Sequence, residues 1–170
     1  MVRSSLSSLI NPEAMAVLGI SANSRIISLA IVERSVLLEY RVHLFKEQWS
    51  DEKAARMINT LHPCLSDFPI TSIAILLPYV HHVTPQTTQL LTGIHEFLTA
   101  KECAISTYKA SSLYSLCETS KAKKKALMKA LTAQYQDLQH IYRKELRNKN
   151  KYYYKLFEAV GAATLMEQHY

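Results

Sequence analysis

The 170-residue chain is expected to fold as an α/β domain built on a mixed five-stranded sheet, three antiparallel hairpin strands followed by parallel strands, with flanking helices. Three observations predict this. Three β-rich segments follow one another with connections short enough only for hairpins. A strand-helix succession comes next, of the kind that extends a sheet with parallel strands. The final third is helical in period throughout.

Residues 16–20 (AVLGI) form a short apolar run that reads as a buried strand, closed by the turn Ser21-Ala22-Asn23-Ser24. Residues 25–33 (RIISLAIVE) are rich in β-branched side chains, and 35–45 (SVLLEYRVHLF) partly alternate apolar with polar. The period then changes. Ser50 is placed to cap a helix running through Ala54, Met57, Ile58 and Leu61 and stopping near Pro63. Residues 71–77 (TSIAILL) are nearly all apolar, as in a strand covered on both faces, and Pro78 ends them. A helix starts at Pro85, with Leu90, Leu91, Ile94, Phe97 and Leu98 along one stripe. Residues 103–108 give a last short strand. A brief helical piece over 111–117, one long helix over 120–147 and a closing helix from 152 to 168 complete the order. The polar, serine-rich stretch 1–14 reads as a flexible N-terminal arm, leaving 15–170 as one domain.

Composition narrows the function classes. The three cysteines, Cys64, Cys103 and Cys117, are odd in number, widely spaced and outside any CxxC arrangement, which points to reduced thiols in the cytoplasm and away from a zinc site. The neighbouring His81 and His82 make a poor metal pair, because successive side chains of an extended segment point to opposite sides. No run approaches the roughly 18 apolar residues of a membrane span. The net charge of +6 is regional: residues 121–155 hold eleven Lys/Arg against Asp137 and Glu145, a local +9 that leaves −3 elsewhere. Such asymmetry suits a polyanionic partner, and it equally suits a solvated helix face.

The segment Val17-Leu18-Gly19-Ile20-Ser21-Ala22-Asn23-Ser24-Arg25 resembles the opening of RuvC-family junction resolvases, members of the RNase H-like superfamily, in which an apolar Leu-Gly-Ile is followed by aspartate and a tight turn. Ile73-Ala74-Ile75-Leu76 is similar to the fourth-strand motif that ends in glutamate in that family. Tyr108 to Leu113, with Ala122-Lys123-Lys124, resembles the segment after the last strand and the start of a basic helix. Leu156-Phe157-Glu158-Ala159-Val160-Gly161-Ala162-Ala163 resembles the last helix, where the family carries two acids three residues apart. The resemblance implies an RNase H-like fold and a homodimer. It also implies that Ser21, Leu76, Glu158 and Gly161 stand where four metal-binding carboxylates would be, with Glu158 alone keeping its acid.

Two-metal phosphodiester hydrolysis needs a carboxylate cluster that holds two cations roughly 4 Å apart. One glutamate cannot do this, so the resemblance implies a domain without nuclease activity, without a metal and without a cofactor. Glu158 is expected on a helix surface, Ser21 in a turn, and the histidines in an exposed loop. Leu76 and Gly161 together imply a partly filled, dry site, with the glycine opening close contact between helix and sheet. The glycine-rich phosphate loops of actin-like ATPases, a related fold, are missing.

The basic third offers a binding surface. At about 100° per residue Leu127, Leu131, Leu138, Ile141 and Tyr142 share one face of the long helix, with Lys125, Lys129, Arg143 and Arg147 opposite. Lys121, Lys124, Lys144, Lys149, Lys151 and Tyr152 extend the cationic and aromatic set, the mixture that follows a phosphate backbone while bases stack on rings. The tyrosines at 152–154 equally suit packing on the sheet edge or a dimer interface. Two readings therefore stand: a catalytically inactive domain binding branched or otherwise structured nucleic acid through its basic C-terminal helix, or a structural dimer scaffold that keeps the fold without binding nucleic acid.

Overall fold

The computed structural model describes residues 16–117, 124–148 and 152–169. The 1–14 arm, Lys121, Lys149 and Lys151 lie outside them. Strands β1 (Ala16–Ala22), β2 (Ile26–Glu33) and β3 (Val36–Leu44) are followed by helices α1 (Asp51–Asn59) and α2 (Leu61–Asp67), strand β4 (Ile70–Leu77), helix α3 (Pro85–Thr99) and strand β5 (Ala104–Lys109). Helices α4 (Lys124–Gln134), α5 (Gln139–Arg147) and α6 (Tyr154–Gln168) come after. The sheet order is β3-β2-β1-β4-β5, antiparallel from β3 to β1 and parallel from β1 to β5. This is the mixed five-stranded sheet with flanking helices that the element order predicts.

Local chemistry explains several boundaries. Ser50 caps α1 as expected, its hydroxyl accepting from the Lys53 amide at 3.0 Å. Pro63 does not stop this region. It sits in the first turn of α2, where a missing amide hydrogen costs nothing, and α1 ends earlier, at Asn59, with Thr60 its C-cap and the N-cap of the next helix. Thr84 caps α3 by accepting from the Thr87 amide, with Pro85 following. Ser21 and Ala22 belong to β1 rather than to a turn. The reversal begins at Asn23, whose Oδ1 accepts from the amides of Arg25 and Ile26.

The long helix read over 120–147 is broken within its described part. Tyr135 leaves the helical region at φ −121° and ψ 96°, and a three-residue turn, Gln136–Leu138, leads into α5. At the break the Tyr135 ring is buried and its hydroxyl meets Thr164 Oγ1 of α6 at 2.9 Å, which ties this point of the chain to α6. Leu127, Leu131, Leu138 and Ile141 are nevertheless all buried, as their spacing predicts.

The two sheet faces carry two cores. On one, Leu18, Ile20, Ile27, Leu29, Ile31, Ile73 and Ile75 pack against Met57 and Leu61 and the α3 residues Leu90, Ile94 and Leu98. On the other the sheet shows small side chains, Gly19, Ala30 and Ala74, and α6 lies directly on them with Ala159, Ala162 and Ala163. A Cβ on Gly19 would stand 2.0 Å from the Ala159 carbonyl oxygen, so glycine is what lets helix and strand touch here. The sequence reading assigned this close approach to Gly161, which instead faces Leu113, Leu116 and Leu131 beneath α4. Because α6 is covered by the sheet below and by α4 above, every described residue from 154 to 166 except Lys155 is buried.

Candidate active-site cleft

The carboxyl ends of β1 and β4 and the first turn of α6 enclose a cleft of about 350 Å³, lined by Asn23, Arg25, Tyr79, Lys124, Lys155 and Glu158 among others. This is where an open α/β sheet with parallel strands usually places its chemistry. Alternation along β1 turns Val17, Gly19 and Ser21 toward α6, which brings the buried Ser21 within reach of Glu158. Its hydroxyl donates to Glu158 Oε1 at 3.3 Å. The same oxygen takes the Lys155 ammonium at 3.0 Å, one helical turn back. Ser21, Glu158 and Lys155 are thus joined through one carboxylate oxygen.

Three expectations are corrected by this geometry. Glu158 is not on a helix surface: its residue exposure is 5%, and the ion pair with Lys155 is what makes that burial tolerable. Gly161 is not part of the cleft. The two α6 positions three residues apart that face it are Lys155 and Glu158, so the residue standing beside the single acid is a lysine. The cleft is also open rather than packed shut. Leu76 does sit in the apolar cluster under α6, at 3% exposure, but the cleft lined by Arg25, Lys124, Lys155 and Glu158 remains open.

Aromatic residues that the sequence reading did not single out, or placed elsewhere, complete the wall. Tyr154 is buried in the cleft, and the Lys124 ammonium stands 4.9 Å from its ring centroid. The Tyr79 hydroxyl donates to that of Tyr114 at 3.2 Å. Burial, then the bond to Tyr114, pushes the Tyr79 phenol up to about 12, and burial followed by the Glu158 charge pushes Tyr154 upward too. Because an unfolded tyrosine ionises near pH 10, the stability these neutral phenols contribute is complete below that pH and is lost as pH climbs toward 12. Tyr79→Phe is expected to shrink the fall in urea midpoint between pH 10 and 12; an unchanged fall would place the responsible phenol elsewhere.

His81 and His82 do not lie in an extended segment. They form a short turn, Val80–His82, in which their rings meet at 4.2 Å, and both are exposed. Among the described residues no group of three or more His, Cys, Asp or Glu could hold a metal ion. The metal pair that RNase H-type cleavage requires does not fit the cleft either: Glu158 is the one carboxylate in the described lining, and its Oε1 is already bonded to an ammonium that would repel a divalent cation.

The predicted binding residues divide. Lys124 belongs to the cleft. Lys125 and Lys129 are exposed on α4, and Arg143, Lys144 and Arg147 on α5, so no single straight ridge joins them. Arg143 lines a separate groove with Tyr40 and His140. Tyr152 is exposed at 39%, whereas Tyr153 packs against the core, so the cation-aromatic run presents one open ring of its three. Glu145, which lowers the formal charge of this region, is fully buried and accepts from the Tyr153 amide at 2.6 Å. No helix among the described residues is long and apolar enough to cross a membrane, and all three cysteines are free.

No protein-family model matches the chain, and no curated protein matches it in sequence. Solved structures do. The RuvC of Thermus thermophilus in complex with a Holliday junction substrate superposes with a TM-score of 0.66 at 14% identity, covering 88% of this chain and 90% of that one. A second T. thermophilus RuvC structure gives 0.65, also at 14% identity, with 88% and 91% covered. A fowlpox virus resolvase in complex with Holliday junction DNA gives 0.57 at 8% identity, with 91% and 98% covered. The fold is therefore the RNase H-like fold of the junction resolvases, as the sequence resemblance implies.

Proposed function

We propose that the chain is a nucleic-acid-binding domain of resolvase fold that does not cleave phosphodiesters and works as a homodimer. The observation that carries the reading is the exposure of the basic residues of α4 and α5, Lys124, Lys125, Lys129, Arg143, Lys144 and Arg147. Cations held out to solvent in this way suit phosphate contacts that position a protein without reading bases. The resolvases of this fold solved with Holliday junctions supply the first ligand to try. The lack of cleavage rests on the single carboxylate of the cleft and its bond to Lys155.

The test is binding of the purified chain to labelled four-way junction, duplex and single-stranded DNA and RNA over a salt series, with cleavage scored in Mg²⁺ or Mn²⁺. Binding should fall steeply with salt, and neutralising Lys125, Lys129, Arg143 and Arg147 together should flatten the salt slope by roughly 3 to 4. Metal-dependent cleavage lost in Glu158→Ala would refute the reading.

The second reading, a dimeric scaffold without nucleic acid, is favoured by β3. It is an edge strand, and it exposes Val36 at 55%, Leu38 at 42% and Leu44 at 40%. Absence of binding at low salt, with a dimer in sedimentation that Leu38→Lys dissociates, would favour that reading.

A further inference from the structure

The cleft has exchanged its charge. Where two-metal chemistry needs carboxylates around cations, the described lining here supplies three cations, Arg25, Lys124 and Lys155, against one acid, Glu158. We propose that this cleft seats the phosphate of a phosphodiester directly on Lys155, Arg25 and Lys124, with no divalent metal. The choice of a phosphodiester rests on the nucleic-acid reading above; the anion site itself rests on the cleft.

Each cation is placed by the fold. Lys155 projects from the first turn of α6, its side chain 21% exposed, and an ammonium carries three donors, of which Glu158 takes one. Glu158 thus acts as a positioning residue that fixes the lysine at the cleft. Arg25 stands exposed at the mouth, on the reversal that Asn23 holds with two amide bonds. Lys124 leans over the Tyr154 ring from the start of α4. The net excess of two positive charges surrounds a space large enough for a phosphate group, whose −1 charge in a diester leaves the seat favourable without a bridging ion. A divalent cation would have to enter against the same three charges.

The experiment is an amide ¹H–¹⁵N titration of the full chain in EDTA with three probes: the dinucleotide TpT, its uncharged methylphosphonate analogue, and inorganic phosphate. TpT should move the amides of residues 22–26 and 155–158, the methylphosphonate should not, and Mg²⁺ at constant ionic strength should leave the TpT affinity within about twofold. Arg25→Gln should weaken TpT severalfold with the spectrum otherwise unchanged; Lys155→Met should weaken it further, and Arg25→Gln carries the test if that variant fails to fold. Shifts confined to α5, a requirement for Mg²⁺, or a response to inorganic phosphate without one to TpT would each overturn the proposal. If the junction binds while TpT leaves the cleft unmoved, the cleft inference falls and the nucleic-acid reading survives. If TpT seats but no nucleic acid binds in the salt series, the reverse holds.

Discussion

Gly19→Ala is expected to cost at least about 3 kcal/mol, against a total of roughly 5–15 kcal/mol for a domain of this size. The added methyl would meet the Ala159 carbonyl oxygen at 2.0 Å and the Ala163 Cβ at 2.9 Å. Neither is the free end of a side chain. To make room, α6 must lift from the sheet, and the Ser21–Glu158 contact, which bridges the same two elements, must lengthen with it. Gly161→Ala provides the contrast, since its new atom would meet the tip of Leu113 at 2.9 Å, a group that can rotate away. It should cost under about 1 kcal/mol, including the helix propensity it gains. Urea unfolding followed by far-UV circular dichroism checks both, and near-equal midpoints for the two variants would show that α6 does not rest on β1 as described.

The second large effect concerns the ion pair in the cleft. Glu158→Ala leaves a partly buried ammonium and the Ser21 hydroxyl without their acceptor, and Lys155→Met leaves a carboxylate whose side chain is 7% exposed without its cation. Breaking a buried pair from one side typically costs about 3–5 kcal/mol; the 21% exposure of the Lys155 side chain puts Glu158→Ala near the lower end. Replacing both partners by apolar groups, Lys155→Met with Glu158→Leu, removes the charges together and should cost less than the sum of the single changes by about 1–3 kcal/mol. A double-mutant cycle on unfolding free energies measures that difference. Additive values would mean that the two side chains do not depend on one another, and the placement of Lys155 in the cleft would lose its support.

The strand order was legible because β-branched and alternating runs report the sheet directly, and because hairpin-length gaps leave little choice of partner. Ser21 was misread since Ser-Ala-Asn-Ser is turn chemistry in isolation; only pairing with Ser28 across β2 keeps it in the strand. The break at Tyr135 was hidden for a different reason. Leu131 before the break and Leu138 and Ile141 after it are all buried, so their spacing in the sequence does not report the interruption.

The α6 motif leaves direction open in the sequence. Glu158 matched an acid of the family motif, but a spacing of three runs both ways along a helix, and a lysine in the partner position removes the residue type that would have settled which. In the structure Lys155 lines the cleft beside Glu158, while Gly161 faces Leu113, Leu116 and Leu131. The depth of Glu158 was equally out of reach, because a lone glutamate in sequence reads as surface unless its counter-ion is known.

The place of α6 in the middle of the molecule also sets an order of events during synthesis. Its residues 154–168 follow all five strands in the chain, yet they form the cover for the small-residue face of β1, β2 and β4. The hairpins can pair early from local contacts, but that face has no partner until a segment more than 130 residues beyond β1 has been made and has returned. Until then the sheet exposes Val17, Ala30, Val32 and Ala74 to whatever is nearby. Slow closure by the late helix, rather than strand pairing, should therefore limit folding, and a holding chaperone would act in that interval.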